Sequence, residues 1–210
     1  MRVILLGIEL INLTTAKLLA EKGYEVTIVE ERTKQEVTEH FLSVFFEDQI
    51  FIKKMDKQLR ELGVTLRYAC KAIKFMTEEK RIRALCIINE QYETETLMAD
   101  RFVAALDYKT RSVLNLLNIK STAQFIEFSH MQHSDTLIGK SSYENLLLNV
   151  GQVLMGITAI NQSAKILSDT LYNPSLSQQQ NIFSKEFSLK LISNIKKSVQ
   201  RFLTSYLLTN

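Results

Sequence analysis

Gly7 ends one apolar run, Arg2-Val3-Ile4-Leu5-Leu6, and Glu30 ends the next, Glu25-Val26-Thr27-Ile28-Val29. A glycine after one strand and a carboxylate after the next can do one kind of chemistry together. The glycine opens a turn tight enough for a helix N-terminus to face a pyrophosphate, and the carboxylate takes ribose hydroxyls. Such a site needs glycine at three positions, spaced G-x-G-x-x-G. Here those positions hold Gly7, Glu9 and Asn12, so only the first glycine is present. Glu9 would bring a side chain and a negative charge toward the phosphates. Two unit charges ~4 Å apart repel by roughly 4 kcal/mol at intermediate dielectric, about a thousand-fold in affinity. Asn12 replaces the glycine that permits close helix–strand packing.

Other chemistry-bearing residues are scattered. Cys70 and Cys86 each stand alone, without a CxxC partner, and read as reduced packing cysteines. His130 and His133 share a helical i,i+3 spacing beside Met131 and Asp135, but no third or fourth metal ligand accompanies them. His40 is isolated, and Ser141-Ser142 has no base within local reach. No metal site and no catalytic constellation is expected.

The elements that must position Gly7 and Glu30 are legible around them. Leu13, Ala16, Leu19 and Ala20 give residues 10–22 helical periodicity, and Gly23 stands where a helix C-cap would. The unit is therefore βαβ. Residues 31–40 read as a loop or a helix start, 41–46 as a compact apolar patch and 50–62 as an amphipathic helix ended by Gly63. A third strand begins at Val64. Residues 71–76, 82–88 and 92–98 form an antiparallel meander, followed by an apolar strand at 102–106 and a short helix at 111–117. A last strand is expected at 145–150 and a long helix at 151–171. Residues 1–172 thus read as one α/β domain with a central parallel sheet, a Rossmann-like fold of the FAD/NAD(P)-binding kind, carrying a small antiparallel meander. Residues 173–182 read as a linker, and residues 183–210 as an added C-terminal amphipathic helix.

Length and charge bound the function. The chain has 210 residues, 46% hydrophobic and 23% charged, with a net charge of +3. Along most of the chain its Lys and Arg are interleaved with Glu and Asp, unlike the one-sided basic face of a nucleic-acid binder; the exception is the last helix, with Lys185, Lys190, Lys196, Lys197 and Arg201. No apolar run approaches the ~20 residues that span a bilayer, and no signal peptide is evident, so a cytoplasmic protein is expected.

Two stretches carry a family resemblance. Ala99-Asp100-Arg101-Phe102-Val103-Ala104-Ala105 resembles an "AD-x-x-V-x-A-x-G-x-x-S" pattern. Thr136-Leu137-Ile138-Gly139-Lys140 through Tyr143-Glu144-Asn145-Leu146-Leu147-Leu148-Asn149 resembles "TPIIG-K-x-x-x-N-L-x-L-N". Gly151 to Gly156 falls on a "GHGTLG" turn, and Ser163 to Leu171 on a closing helix "SGKLLADLI". Both patterns are similar to those of FAD-dependent D-amino-acid dehydrogenases and related amine oxidoreductases. The resemblance covers most of residues 1–114 and 133–172. It implies that Gly7, Glu30, Gly151 and Gly156 are vestiges of cofactor contacts, and that Glu9 and Asp107 block them. It also implies a truncated enzyme, because residues 114–133 stand where the family carries its substrate domain.

The expectation is a non-catalytic pseudoenzyme without a cofactor or small-molecule substrate. It would serve as a structural subunit of a larger bacterial assembly, hetero-oligomeric, touching membranes only through its partners. Phe187, Leu191, Ile195, Phe202 and Tyr206 form the apolar stripe offered to a partner protein. The alternative is a minimal flavoprotein oxidoreductase that binds FAD or another adenine nucleotide through Gly7, Glu30 and Gly151.

Overall fold

The computed structural model describes residues 1–45, 49–105, 116–117, 127–129, 138–141, 143–149 and 157–172. The chain opens β1(Arg2–Leu6), α1(Leu10–Glu21), β2(Glu25–Val29), α2(Lys34–Phe45), α3(Gln49–Glu61) and β3(Thr65–Arg67). The meander follows as β4(Lys71–Glu78), β5(Arg81–Ile88) and β6(Thr94–Met98). Then come β7(Arg101–Ala105), β8(Glu127–Ser129), β9(Ile138–Lys140), β10(Leu146–Asn149) and a last helix, α4(Ile157–Tyr172).

The apolar runs become the middle of a seven-stranded sheet, in the order β3-β2-β1-β7-β10-β9-β8. From β3 to β10 all neighbours are parallel. β9 and β8 run antiparallel on the far edge. Parallel strands of this kind are covered on both faces. On one face Val3, Leu5, Val103 and Leu147 pack against Ile11, Ala16 and Leu19 of α1 and Ala164, Leu167 and Leu171 of α4. On the other, Ile4, Leu6, Phe102, Ala104, Leu146 and Leu148 meet Phe75, Ile82, Leu85 and Ile87 of the three-stranded sheet. The layers are therefore helices, parallel sheet and antiparallel sheet.

The ties between layers sit at the amino edge of the main sheet. Asn145 stands just before β10. Its carboxamide donates to the Ile82 and Asp100 carbonyls at 2.8 and 3.1 Å, and accepts from the Ile82 N–H at 2.9 Å. Asp100 accepts from the Arg2 N–H at 2.7 Å. At the end of α1, Lys22 donates to Ser168 and Asp169 of α4, and the Tyr24 and Tyr172 rings stand 6.4 Å apart.

Several expectations change. Most of residues 31–40, read as a loop or a helix start, belongs to α2. β8 and β9 were not anticipated, because strands of three residues carry almost no periodic signal. The side chains of the apolar patch at residues 41–46, Asp107, most of the expected 111–117 helix, residues 151–156, the linker and residues 183–210 lie outside the described residues. Cys70 and Cys86 are both free thiols, and burial pushes the Cys70 thiol up.

α2 and α3 are joined to the β3–β4 connection through Asp56. Its carboxylate accepts from Lys34 at 2.9 Å, Arg60 at 3.3 Å and the Tyr68 hydroxyl at 3.1 Å. Burial alone would raise this carboxyl, but the bonds from Lys34, Arg60 and Tyr68 outweigh it and hold it below its ordinary value. Burial and the Asp56 charge push the Tyr68 phenol up. A carboxyl that titrates lower when folded stabilises fully above its unfolded value of about 3.9. That contribution fades as pH falls through the folded value. Lys34 and Arg60 are half exposed, so water screens their share. Asp56→Asn should therefore cost about 1 kcal/mol at pH 7. In urea melts, the gap from the wild type should close as pH falls below about 3.9; a gap that stays constant with pH would contradict the assignment.

Candidate functional site

Five buried polar residues, Glu9, Asn12, Glu30, Arg32 and Asn149, stand at the carboxyl edge of the sheet. At the end of β1 the chain turns at Gly7, whose φ of +90° is strained for any residue with a Cβ. The Gly7 N–H donates to the Val29 carbonyl at 2.9 Å, which ties the turn to β2. Asn12, on the first turn of α1, donates through Nδ2 to the carbonyls of Leu6 and Gly7, at 3.0 and 2.9 Å. The third glycine is thus replaced by a side chain that braces the turn from inside. Its Oδ1 has no partner.

Glu30 follows β2, and its carboxylate reaches back under this turn. Oε2 accepts from the Ile8 N–H at 2.7 Å. Oε1 accepts from the Arg32 N–H at 2.8 Å, which folds residues 30–32 into a tight local turn. The same two oxygens also hold the Arg32 guanidinium, Nε on Oε1 at 2.8 Å and Nη2 on Oε2 at 2.9 Å. Four N–H donors therefore meet a group with about four lone-pair positions.

Arg32 completes a buried ion triad. Its Nη2 also lies 3.2 Å from Glu9 Oε1 and 3.4 Å from the Ile8 carbonyl. Glu9, Glu30 and Arg32 are only 5, 4 and 7% exposed. Glu9 is the N-cap residue of α1, but its side chain makes no capping bond. Its carboxylate faces the guanidinium instead. The expected repulsion between Glu9 and a phosphate presumed an uncompensated charge, and in the structure that charge is paired. The triad carries one net negative charge beside the positive end of the α1 dipole.

The sequence reading placed Gly7, Glu9 and Glu30 correctly at one turn and missed Arg32. The signal was a cation two residues beyond a strand-end carboxylate. It also missed Asn149, the last residue of β10. Asn149 is 2% exposed, and neither its Nδ2 nor its Oδ1 has a partner. Gly151, Gly156 and Asp107, the other cofactor positions, lie outside the described residues. So do His130, His133 and the stripe from Phe187 to Tyr206. Among the described residues no group of three His, Cys, Asp or Glu could hold a metal ion, and no helix is long and apolar enough to cross a membrane.

In an open parallel sheet, ligands bind outside the carboxyl ends of the strands, where the strand order reverses. That point here lies between β1, which leads outward to β2 and β3, and β7, which continues the sheet on the other side. The Gly7 turn and the N-terminus of α1 stand at it.

The sequence matches no protein-family model and no curated protein sequence. Solved structures share its fold. The crystal structure of Thermovibrio ammonificans THI4 superposes with a TM-score of 0.58 at 14% identity, over 81% of this chain and 88% of that one. The glycerol-3-phosphate dehydrogenase of Bacillus halodurans, complexed with FAD, superposes with a TM-score of 0.59 at 7% identity. That match covers 86% of this chain and 65% of the dehydrogenase, so the chain spans less than two thirds of that enzyme. The fold is the Rossmann-type α/β fold that these two structures share. Neither likeness singles out D-amino-acid dehydrogenases, and neither requires a lost domain. The expectation of a chain without a cofactor is overturned here, because the shared fold is one that holds FAD in the dehydrogenase.

Removing the cation from a buried triad takes from Glu9 and Glu30 the guanidinium they share, and breaking a buried ion pair costs about 3–5 kcal/mol in comparable cases. Arg32→Met should lower stability by about that amount, read as a shifted urea midpoint at unchanged slope. A loss below about 1 kcal/mol would mean that the triad does not hold the turn.

Proposed function

We propose that this chain is a flavoprotein that binds FAD at the carboxyl edge of its parallel sheet. The observation that carries the reading is the Glu30 carboxylate at the end of β2, drawn under the β1–α1 turn by the Ile8 N–H at 2.7 Å. A carboxylate there is placed for the hydroxyls of an adenosine ribose. Gly7 keeps the turn free of a side chain. The first amides of α1, which no side chain caps, offer donors and a positive dipole end to a pyrophosphate. FAD, when bound, supplies two-electron transfer, and the protein supplies position and electrostatics.

The residues fit with one rearrangement. Because Arg32 fills both Glu30 oxygens, a ribose hydroxyl bonds Glu30 only when the guanidinium leaves one of them. The cation so released is then available to a phosphate, and Arg–phosphate pairs are among the strong charge-assisted contacts. Arg32 thus holds the turn in the absence of ligand and exchanges one anion for another on binding. Glu9 competes with the phosphate for the same cation.

The likeness to D-amino-acid dehydrogenases rests on the patterns of residues 99–105 and 136–171 and brings no substrate-binding residue with it. A role as a protein-interaction subunit rests on Phe187, Leu191, Ile195, Phe202 and Tyr206, outside the described residues. No observation on the described part favours it.

Titration of the full chain with FAD, followed by flavin fluorescence, tests the reading together with Glu9→Gly. The wild type should bind. The variant should bind equally or up to about ten-fold tighter, because one competitor for Arg32 is gone. If the wild type fails to bind and Glu9→Gly binds, Glu9 blocks the site in the natural protein and the reading is wrong.

A further inference from the structure

β10 carries an asparagine at each end, and the two are treated in opposite ways. At the amino end Asn145 satisfies both polar atoms of its carboxamide on Ile82 and Asp100. At the carboxyl end Asn149 is equally buried, and neither polar atom has a partner. A buried, unbonded carboxamide is costly, and native structures keep few such groups. Apolar residues occupy every other position of this strand, Leu146, Leu147 and Leu148. An asparagine at its end is therefore not a requirement of packing.

Its place in the fold gives it a use. Side chains alternate across a strand, so Asn149 shares the side of Leu147, which packs in the cluster of α1 and α4. Asn12, with its own unpartnered Oδ1, belongs to α1 on that same side, at the carboxyl end of β1. From β2, where Glu30 stands, to β10 is three strand spacings, about 14 Å. An extended dinucleotide with its adenosine at Glu30 and its pyrophosphate at α1 would carry its other half over β7 and β10.

We infer that Asn149 is a ligand contact for that other half. Its carboxamide offers one donor and one acceptor side by side, the complement of a cyclic amide or imide edge. The pyrimidine part of a flavin ring presents such an edge, whereas an adenosine diphosphate alone ends before reaching it. The inference rests on the FAD-binding reading above and extends it to the half of the ligand that Glu30 does not touch.

The test compares FAD with ADP on the full-length wild type and on Asn149→Leu. Leucine keeps the branched outline of asparagine and removes an unbonded buried amide, so the variant should melt no lower than the wild type. Asn149→Ser takes its place if leucine prevents folding. The variant should bind ADP as the wild type does and FAD at least about ten-fold more weakly. Equal FAD affinity in the two proteins would overturn the inference and leave the FAD reading standing. An equal loss of ADP and FAD affinity would also overturn it, by making Asn149 a support of the whole site. If the wild type binds neither ligand, both the reading and the inference fall.

Discussion

The bond from the Ile8 N–H to Glu30 is where the two halves of the βαβ unit meet. It joins the turn after β1 to the end of β2 across the carboxyl edge of the sheet. Arg32 depends on it, because the guanidinium spans the same carboxylate. Glu9 meets Arg32 in turn, 3.2 Å from its Nη2, so that two buried carboxylates share one guanidinium. The N-terminus of α1 is aimed by this chain of contacts, and the packing of α1 on α4 holds the rest of the helix behind it.

The two edges of the sheet differ in how their polar groups are treated. At the amino edge, Asp100 and Asn145 are bonded into the joint between the layers. At the carboxyl edge, Glu30 is bonded to a cation that must itself be held, and the Asn149 carboxamide and the Asn12 Oδ1 have no partner. Stability accounts for the first edge. The second departs from what stability alone would select, and such departures are expected at functional sites. The asymmetry points to the same edge as the strand-order reversal does, although the two observations are independent.

Much of the frame was legible in the sequence. The apolar runs of β1, β2, β7 and β10 announced buried parallel strands, and residues 71–98 announced a meander. Gly7 and Glu30 were found because their roles are local: one needs a positive φ, the other stands at a strand end. Arg32 was not found, because its meaning comes from two carboxylates, one of them 23 positions away in the chain. The charge of Glu9 was read without its counter-charge for the same reason, since only the fold sets the guanidinium of Arg32 beside it. Asn149 was not separable from Asn145 by sequence, because both are asparagines flanking one leucine run. Only the fold shows that one is bonded and the other is not.

The central claim is that the carboxyl edge holds FAD in the natural protein. The most direct test is the visible absorption spectrum of the full chain purified under native conditions, followed by denaturation and assay of the released flavin. The account predicts flavin absorption and release of FAD close to one per chain, or the same result after incubation with FAD. A colourless protein that takes up no FAD on incubation would contradict it.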